Sequence, residues 1–404
     1  MSPSSASDDD TRGFADLPFV PLRDRPRLLP PPSFAASAPG PGFVLRTAVE
    51  DFVVDEEPLY LPSGEGEHIY LHLRKRSLST PQLVRRMRAL GVSDRDVGFA
   101  GRKDERGVTS QWVSLSYPRV RRDRRALVDG WLQASADQAP LDATALGDDV
   151  ELLAVRRHTN KLKTGHLAGN RFTLGVHLDG VGDVALLVDE LQSRAAQLQQ
   201  RGMPNYFGDQ RFGVEGDSLH KAHRFLRRRR KAKGAGDKFL VSCWQSAVFN
   251  HWLQERVQDG LLTTAVAGDL LQKLPKGASF VCDAPDDDTP RIMSGEVSVC
   301  GPMWGAAMRA CTHEALTRES RSLCALGVDP AICTSHPALQ TGTRRPARAM
   351  VNAIQITADG PRLQVAFRLP PGSYATVFMN ELLGIPGRDA PRVSAPAAAG
   401  AAAL

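Results

Sequence analysis

Strict alternation of apolar and polar residues marks several short strands along this chain. The clearest run places Phe172, Leu174, Val176 and Leu178 on one face, and Leu363, Val365, Phe367 and Leu369 repeat the pattern near the C-terminus. Phe43–Thr47, Asp51–Glu57, Ile69–Leu73, Trp112–Ser116 and Leu152–Val155 read as further strands. Helical spacing appears at Leu83, Val84, Met87 and Leu90, after the hydroxyl cap and proline of Ser79-Thr80-Pro81 and before Gly91,. A longer stripe, Val184 to Leu198, is bounded by Asp183 and Gly202; Asp217 is expected to cap another helix, and Ser373 to cap Tyr374–Leu383,. Ser242–Val257 reads as a buried helix with Trp244, Val248, Phe249, Trp252 and Leu253 as its core.

Between two strand-like runs lies Gly98–Leu115, GFAGRKDERGVTSQWVSL. Arg102, Lys103, Asp104, Glu105 and Arg106 crowd into its turn, and Gly101 is expected to supply an unusual backbone conformation,. A carboxylate among cations favours its anionic form, which suits Asp104 to act as a nucleophile or base. A solvated hairpin turn accounts for the same charges.

At 404 residues the chain has room for two domains, and with 42% apolar and 24% charged residues it has an ordinary globular composition,. No apolar run approaches the roughly 20 residues that span a bilayer. MSPSSASDDDTRGF lacks a signal peptide's basic and apolar regions, so the chain is expected to be cytoplasmic, with no membrane partner,. Its six cysteines form no C-x-x-C pair,. Residues 1–40 read as a disordered leader and 391–404 as a disordered tail, both on composition,.

The net charge of +6 is modest, but lysine and arginine gather in Arg74–Arg88, Arg102–Arg106, Arg119–Arg125, Arg156–Lys163, Arg224–Lys238 and Arg344–Arg348. Six such clusters point to a nucleic acid, with solvated faces as the bland alternative. The tetra-arginine run at 227–230 suits phosphate contact,. Asp286–Asp288 lacks calcium-loop spacing and reads as a solvated turn, so no metal is expected,. H-E-x-x-H, G-x-S-x-G and P-loop patterns are absent, as is a dinucleotide fingerprint, which leaves cofactor-free chemistry,. Asn170 can orient a carboxylate or read a base edge; Phe52, Phe172 and Tyr374 can stack on a base; turn and core roles compete for each. NYFGDQRFG at 205–213 is equally a stacking surface or a packed loop.

Five segments together resemble the TruD family of tRNA pseudouridine synthases. They are EDFVVDE at 50–56 with PSGEGEHIYLHLRKR after it, GFAGRKDERGVTSQW at 98–112, RHTNKLKTGHLAGNRF at 157–172, NYFGDQRFG at 205–213 and LPPGSYATVFMNELL at 369–383. The resemblance implies isomerisation of uridine 13 in tRNA to pseudouridine, with Asp104 as the nucleophile. It places Phe52, Asn170 and Tyr374 around the target uridine and Phe172 after the G-N pair. Lys103 and Lys161 are candidates for stabilising departing uracil. The implied fold is α+β: a catalytic domain with a mixed, largely antiparallel sheet over 41–201 plus 346–390, interrupted by an inserted α/β TRUD domain over 202–345. The chain is expected to act as a monomer on tRNA without cofactor or metal. Its departures are SVCGP at 298–302, where relatives often carry SPTGP, and a more arginine-rich loop at 227–238. A non-catalytic tRNA-binding protein or RNA chaperone is the competing class.

Overall fold

The alternating stretches form strands whose pairing can be followed residue by residue in the computed structural model, which describes residues 16–32, 42–45, 47–180, 183–275, 277–384 and 388–389. Two compact units result. One comprises Ser37–Val188, Gln355–Phe367 and Gly387–Leu404; the other Met1–Ala36, Asp189–Ile354 and Arg368–Pro386.

The first unit is built on a mixed sheet. Its strands are β1 (Gly42–Leu45), β2 (Phe52–Pro58), β3 (His68–Arg76), β4 (Val97–Phe99), β5 (Val108–Ser116), β6 (Val150–His158) and β7 (Leu167–Asp179). The order is Asn352–Asp359, Arg362–Leu369, β7, β2, β5, β3, β6, with β1 also on β7 and β4 on β5. β2 and β5 run parallel, whereas β3 pairs antiparallel with both β5 and β6. Ile69, Leu71 and Leu73 alternate onto a buried face with Val113 and Leu115. Leu83, Val84 and Met87 cover that face, joined by Val128 and Trp131 from the helix Arg122–Ala136.

The helix α1 (Thr80–Arg86) begins as its sequence demands: the Ser79 N–H and hydroxyl both donate to Gln82 Oε1, and Pro81 occupies the first turn,. It tightens into a 3₁₀ turn, Met87–Leu90, and ends on left-handed Gly91, φ 76°,.

In the second unit the helix Ala235–Gln258 runs longer than the apolar stripe predicts, because its polar first turns are exposed. Trp244, Phe249 and Leu253 are fully buried along it. An antiparallel sheet orders Ser279–Val281, Leu270–Lys273, Val297–Met303 and Thr343–Pro346. Asp183 caps Val184–Arg201 through the N–H groups of Ala185 and Leu186.

Several local expectations are corrected. Asp217 is the first helical residue of Asp217–Leu226, with Gly216 at the cap position. Asp286–Asp288 forms the first turn of the helix Pro285–Met293, where acidic residues complement the N-terminal dipole,. Tyr374, not Ser373, occupies the N-cap of Ala375–Leu383, while the Ser373 hydroxyl donates to Asn205 Oδ1 at 3.1 Å. Residues 16–32 are not a disordered leader. Leu17, Leu22 and Leu29 are buried, Leu22 N donates to Asp209 Oδ1, and Leu28 N and Leu29 N donate to the Glu381 carboxylate. The expectations for 1–15, 33–40 and the tail 391–404 lie outside the described residues. Among the described residues no helix is long and apolar enough to cross a membrane.

Candidate active site

The period-two geometry of β2 and β7 brings Phe52, Asn170 and Phe172 onto one face. On β2, Phe52, Val54 and Glu56 share a face. Antiparallel register sets Val54 opposite Phe172 and Glu56 opposite Asn170, and parallel register sets Val54 beside Thr109 of β5. Phe52 and Phe172 are buried, with ring centroids 6.3 Å apart in an edge-on contact; Phe172 stacks on Phe367 at 5.2 Å. Asn170 is half-buried, and its Oδ1 is buried without a hydrogen-bond partner among the described residues. That oxygen keeps acceptor capacity that the described residues do not use,.

The turn joining β4 to β5 carries Asp104 beside that face. Its entry is fixed by Gly165 N donating to Ala100 O at 2.8 Å, and its centre by Lys103 N donating to Thr80 Oγ1 at 2.8 Å. The Thr80 hydroxyl in turn donates to Gln111 Oε1 at 2.9 Å. The turn's exit needs a glycine. A β-carbon on Gly107 would stand 2.5 Å from the Phe52 carbonyl oxygen, whereas one on Gly101 would meet nothing nearer than Lys103 Nζ at 3.4 Å. The unusual glycine is therefore Gly107, not Gly101. Asp104 is half-buried, between exposed Glu105 and buried Lys103.

The cations of this turn do not surround Asp104 uniformly. Lys103 Nζ is 2.6 Å from Glu56 Oε2, both side chains being nearly inaccessible, and Glu56 Oε1 accepts Trp112 N at 3.2 Å. Arg102 and Arg106 are exposed. Lys161 Nζ donates to the Arg95 carbonyl oxygen. Lys75, absent from the sequence-based candidates, donates from Nζ to the carbonyl oxygens of Leu78 and of Asp104 itself, the latter at 3.2 Å.

Glu56 and Lys75 were both accessible to sequence reasoning. Glu56 follows Phe52 by four residues in an alternating strand, and Lys75 continues the inward series Ile69, Leu71, Leu73. An ionisable group on an apolar face is itself a signal, since its burial demands partners.

Tyr374 belongs to the second unit. Its ring meets Phe207 edge-on, centroids 6.0 Å apart, and the Arg345 guanidinium lies 4.0 Å from the Phe207 centroid. Arg345 is held by Asn205 Oδ1 at 2.7 Å and Gly372 O at 2.9 Å. Of the 205–213 segment, Tyr206 and Phe212 are core residues, so most of it is a packed loop; Phe207 alone of its rings is half-buried.

A family model described as tRNA pseudouridine synthase D (TruD) matches residues 32–235 and 236–382. The tRNA pseudouridine synthase D of Anaeromyxobacter sp. (strain Fw109-5) is 43% identical over 364 residues, covering 87% of this chain and 95% of that protein. A Thermus thermophilus protein of the same name is 33% identical, covering 89% and 93%. A crystal structure from Methanosarcina mazei described under the name TruD shares the fold, with a TM-score of 0.61 at 20% identity over 91% of this chain and 96% of that one. With matches spanning most of its length, this chain belongs to the TruD family.

Proposed function

We propose that this protein isomerises uridine 13 of tRNA to pseudouridine without a cofactor, using Asp104 as the nucleophile. The Asp104 carboxylate attacks the nucleoside and the N1–C1′ bond breaks. The uracil turns in place, C5 bonds to C1′ as the bond between the sugar and the Asp104 carboxylate breaks and frees the carboxylate, and loss of the C5 proton with protonation of N1 leaves the composition unchanged. Covalent capture divides one difficult glycosyl transfer into smaller steps.

The observation that carries this reading is the fixing of Asp104 on both sides, by Lys103 N on Thr80 and by Lys75 on the Asp104 carbonyl. A nucleophile held in place needs less reorganisation to reach its target. Asn170, with its unmatched amide oxygen, orients the reacting groups. Phe52 and Phe172 flank the uridine and its detached base. Lys103 acts through Glu56, its buried partner, and Lys161 serves the RNA phosphates or the departing uracil. The segment 227–233 contacts phosphate. The catalytic domain of this reading is 41–201 with 346–390 around an insertion at 202–345, and the protein works as a cytoplasmic monomer.

A protein that only bound tRNA would gain nothing from a carboxylate in a cationic turn, because it repels phosphate. Pseudouridine formation in tRNA by the wild type, and its loss in Asp104→Asn with tRNA affinity kept, is the expected result. Binding without modification would transfer the protein to the RNA-binding class.

A further inference from the structure

Lys75 ends the buried face of β3, in line with Ile69, Leu71 and Leu73, and is 1% exposed. A buried ammonium needs acceptors to replace water. The two it has are main-chain carbonyls at opposite ends of the site's framework: Leu78, just before α1, and Asp104. Three charges face it, all from the Asp104 turn. Burial, reinforced by Lys103, outweighs Asp104 and Glu105, which favour the protonated form, and brings the Lys75 pKa down to about 8,.

We infer that Lys75 is a positioning residue for the nucleophile: its ammonium clamps the Asp104 main chain and provides the buried positive charge beside which the Asp104 carboxylate works. The assignment rests on the proposed reaction. Lys75 forms no bond to substrate and exchanges no proton with it; it acts through Asp104. A neutral amine can still donate to both carbonyls, so deprotonation removes the charge while keeping the scaffold.

That separation gives the test its leverage. The ammonium is present below about pH 8 and is lost as pH rises through its folded value, so the rate of the chemical step falls there. Stability moves the other way. The unfolded lysine titrates near 10.4, so between about 8 and 10.4 the unfolded chain holds the extra proton and this group's contribution to stability rises with pH. A rate lost above pH 8 is then not lost through unfolding.

The experiment is single-turnover pseudouridine formation on a saturating tRNA transcript between pH 6 and 9, with tRNA binding and thermal unfolding measured in parallel, for wild type and Lys75→Met. The wild-type rate is expected to fall about tenfold between pH 7 and 9 with binding unchanged. Folded Lys75→Met should bind tRNA within about threefold of wild type, react at least about 100-fold more slowly and show a flat profile over this range. A flat wild-type profile, or a folded methionine variant within threefold of wild-type rate, overturns the assignment. If that variant does not fold, the wild-type profile decides alone. Wild-type protein that makes no pseudouridine at any pH refutes the proposed reaction, and the assignment falls with it.

Discussion

Lys103 and Glu56 form an ion pair 2.6 Å long, with side chains 5% and 1% exposed, one residue before Asp104 in the chain. Such a pair contributes little over a well-packed apolar substitute, but removing one member strands a buried charge. Lys103→Met alone is expected to cost about 3–5 kcal/mol of stability. Adding Glu56→Gln should recover most of that loss. Urea denaturation of the two single variants and the double variant measures the coupling, and additive costs would contradict it.

Asn170→Ala should separate function from folding. Because Asn170 Oδ1 has no hydrogen-bond partner among the described residues, its removal sacrifices no bond to that atom. We expect a thermal midpoint within a few degrees of wild type and a chemical step slowed about 100-fold, with tRNA affinity retained. A large stability loss with normal turnover would make Asn170 a folding residue.

The 16–32 segment brings a pH dependence of its own. Leu28 N and Leu29 N donate to the Glu381 carboxylate, and burial raises the Glu381 pKa to about 7 against the opposing pull of those donors. The folded state therefore holds a proton that the unfolded state releases near pH 4.3. The contribution of Glu381 is fully present below that value and is lost as pH rises through about 7,. Glu381→Gln should flatten the decline of thermal midpoint between pH 5 and 7.5, and an unchanged slope would contradict the assignment.

In the basic segment, Arg227 pairs with Asp16 at 3.2 Å, while Arg230 pairs with Asp237 at 3.5 Å and lies over the Phe225 ring. The side chains of Arg228, Arg229, Lys231 and Lys233 form no ion pair with a carboxylate among the described residues, although Lys233 N donates to Asp237 Oδ2 at 3.1 Å. Replacing these four with alanine should weaken tRNA binding and reduce the salt slope of log K by up to about 3–4, near 0.9 for each phosphate no longer neutralised. An unchanged slope would remove this segment from the RNA interface.

The strands and helices were readable wherever one face is buried, because Phe172–Leu178 and Leu363–Leu369 can satisfy their alternation in only one way. Local pattern failed where partners are remote. Nothing near Lys103 indicates that its ammonium finds Glu56, 47 positions earlier, nor that Gly107 is required by the approach of the Phe52 carbonyl. The same holds for 16–32, whose leucines look isolated until the core residues that cover them are assembled. Lys75 is different in kind: its inward place was already written in the alternation of β3, and a charge on an apolar face was the overlooked signal.

Mapping pseudouridine in a tRNA transcript pool shows whether Asp104 carries out uridine isomerisation. Wild-type protein and Asp104→Asn are incubated with the pool in the absence of added metal or nucleotide. New pseudouridine at position 13 is expected with the wild type and none with the variant, while both bind tRNA. Pseudouridine formed by Asp104→Asn at the wild-type rate, or none formed by a wild-type protein that binds tRNA, would contradict it.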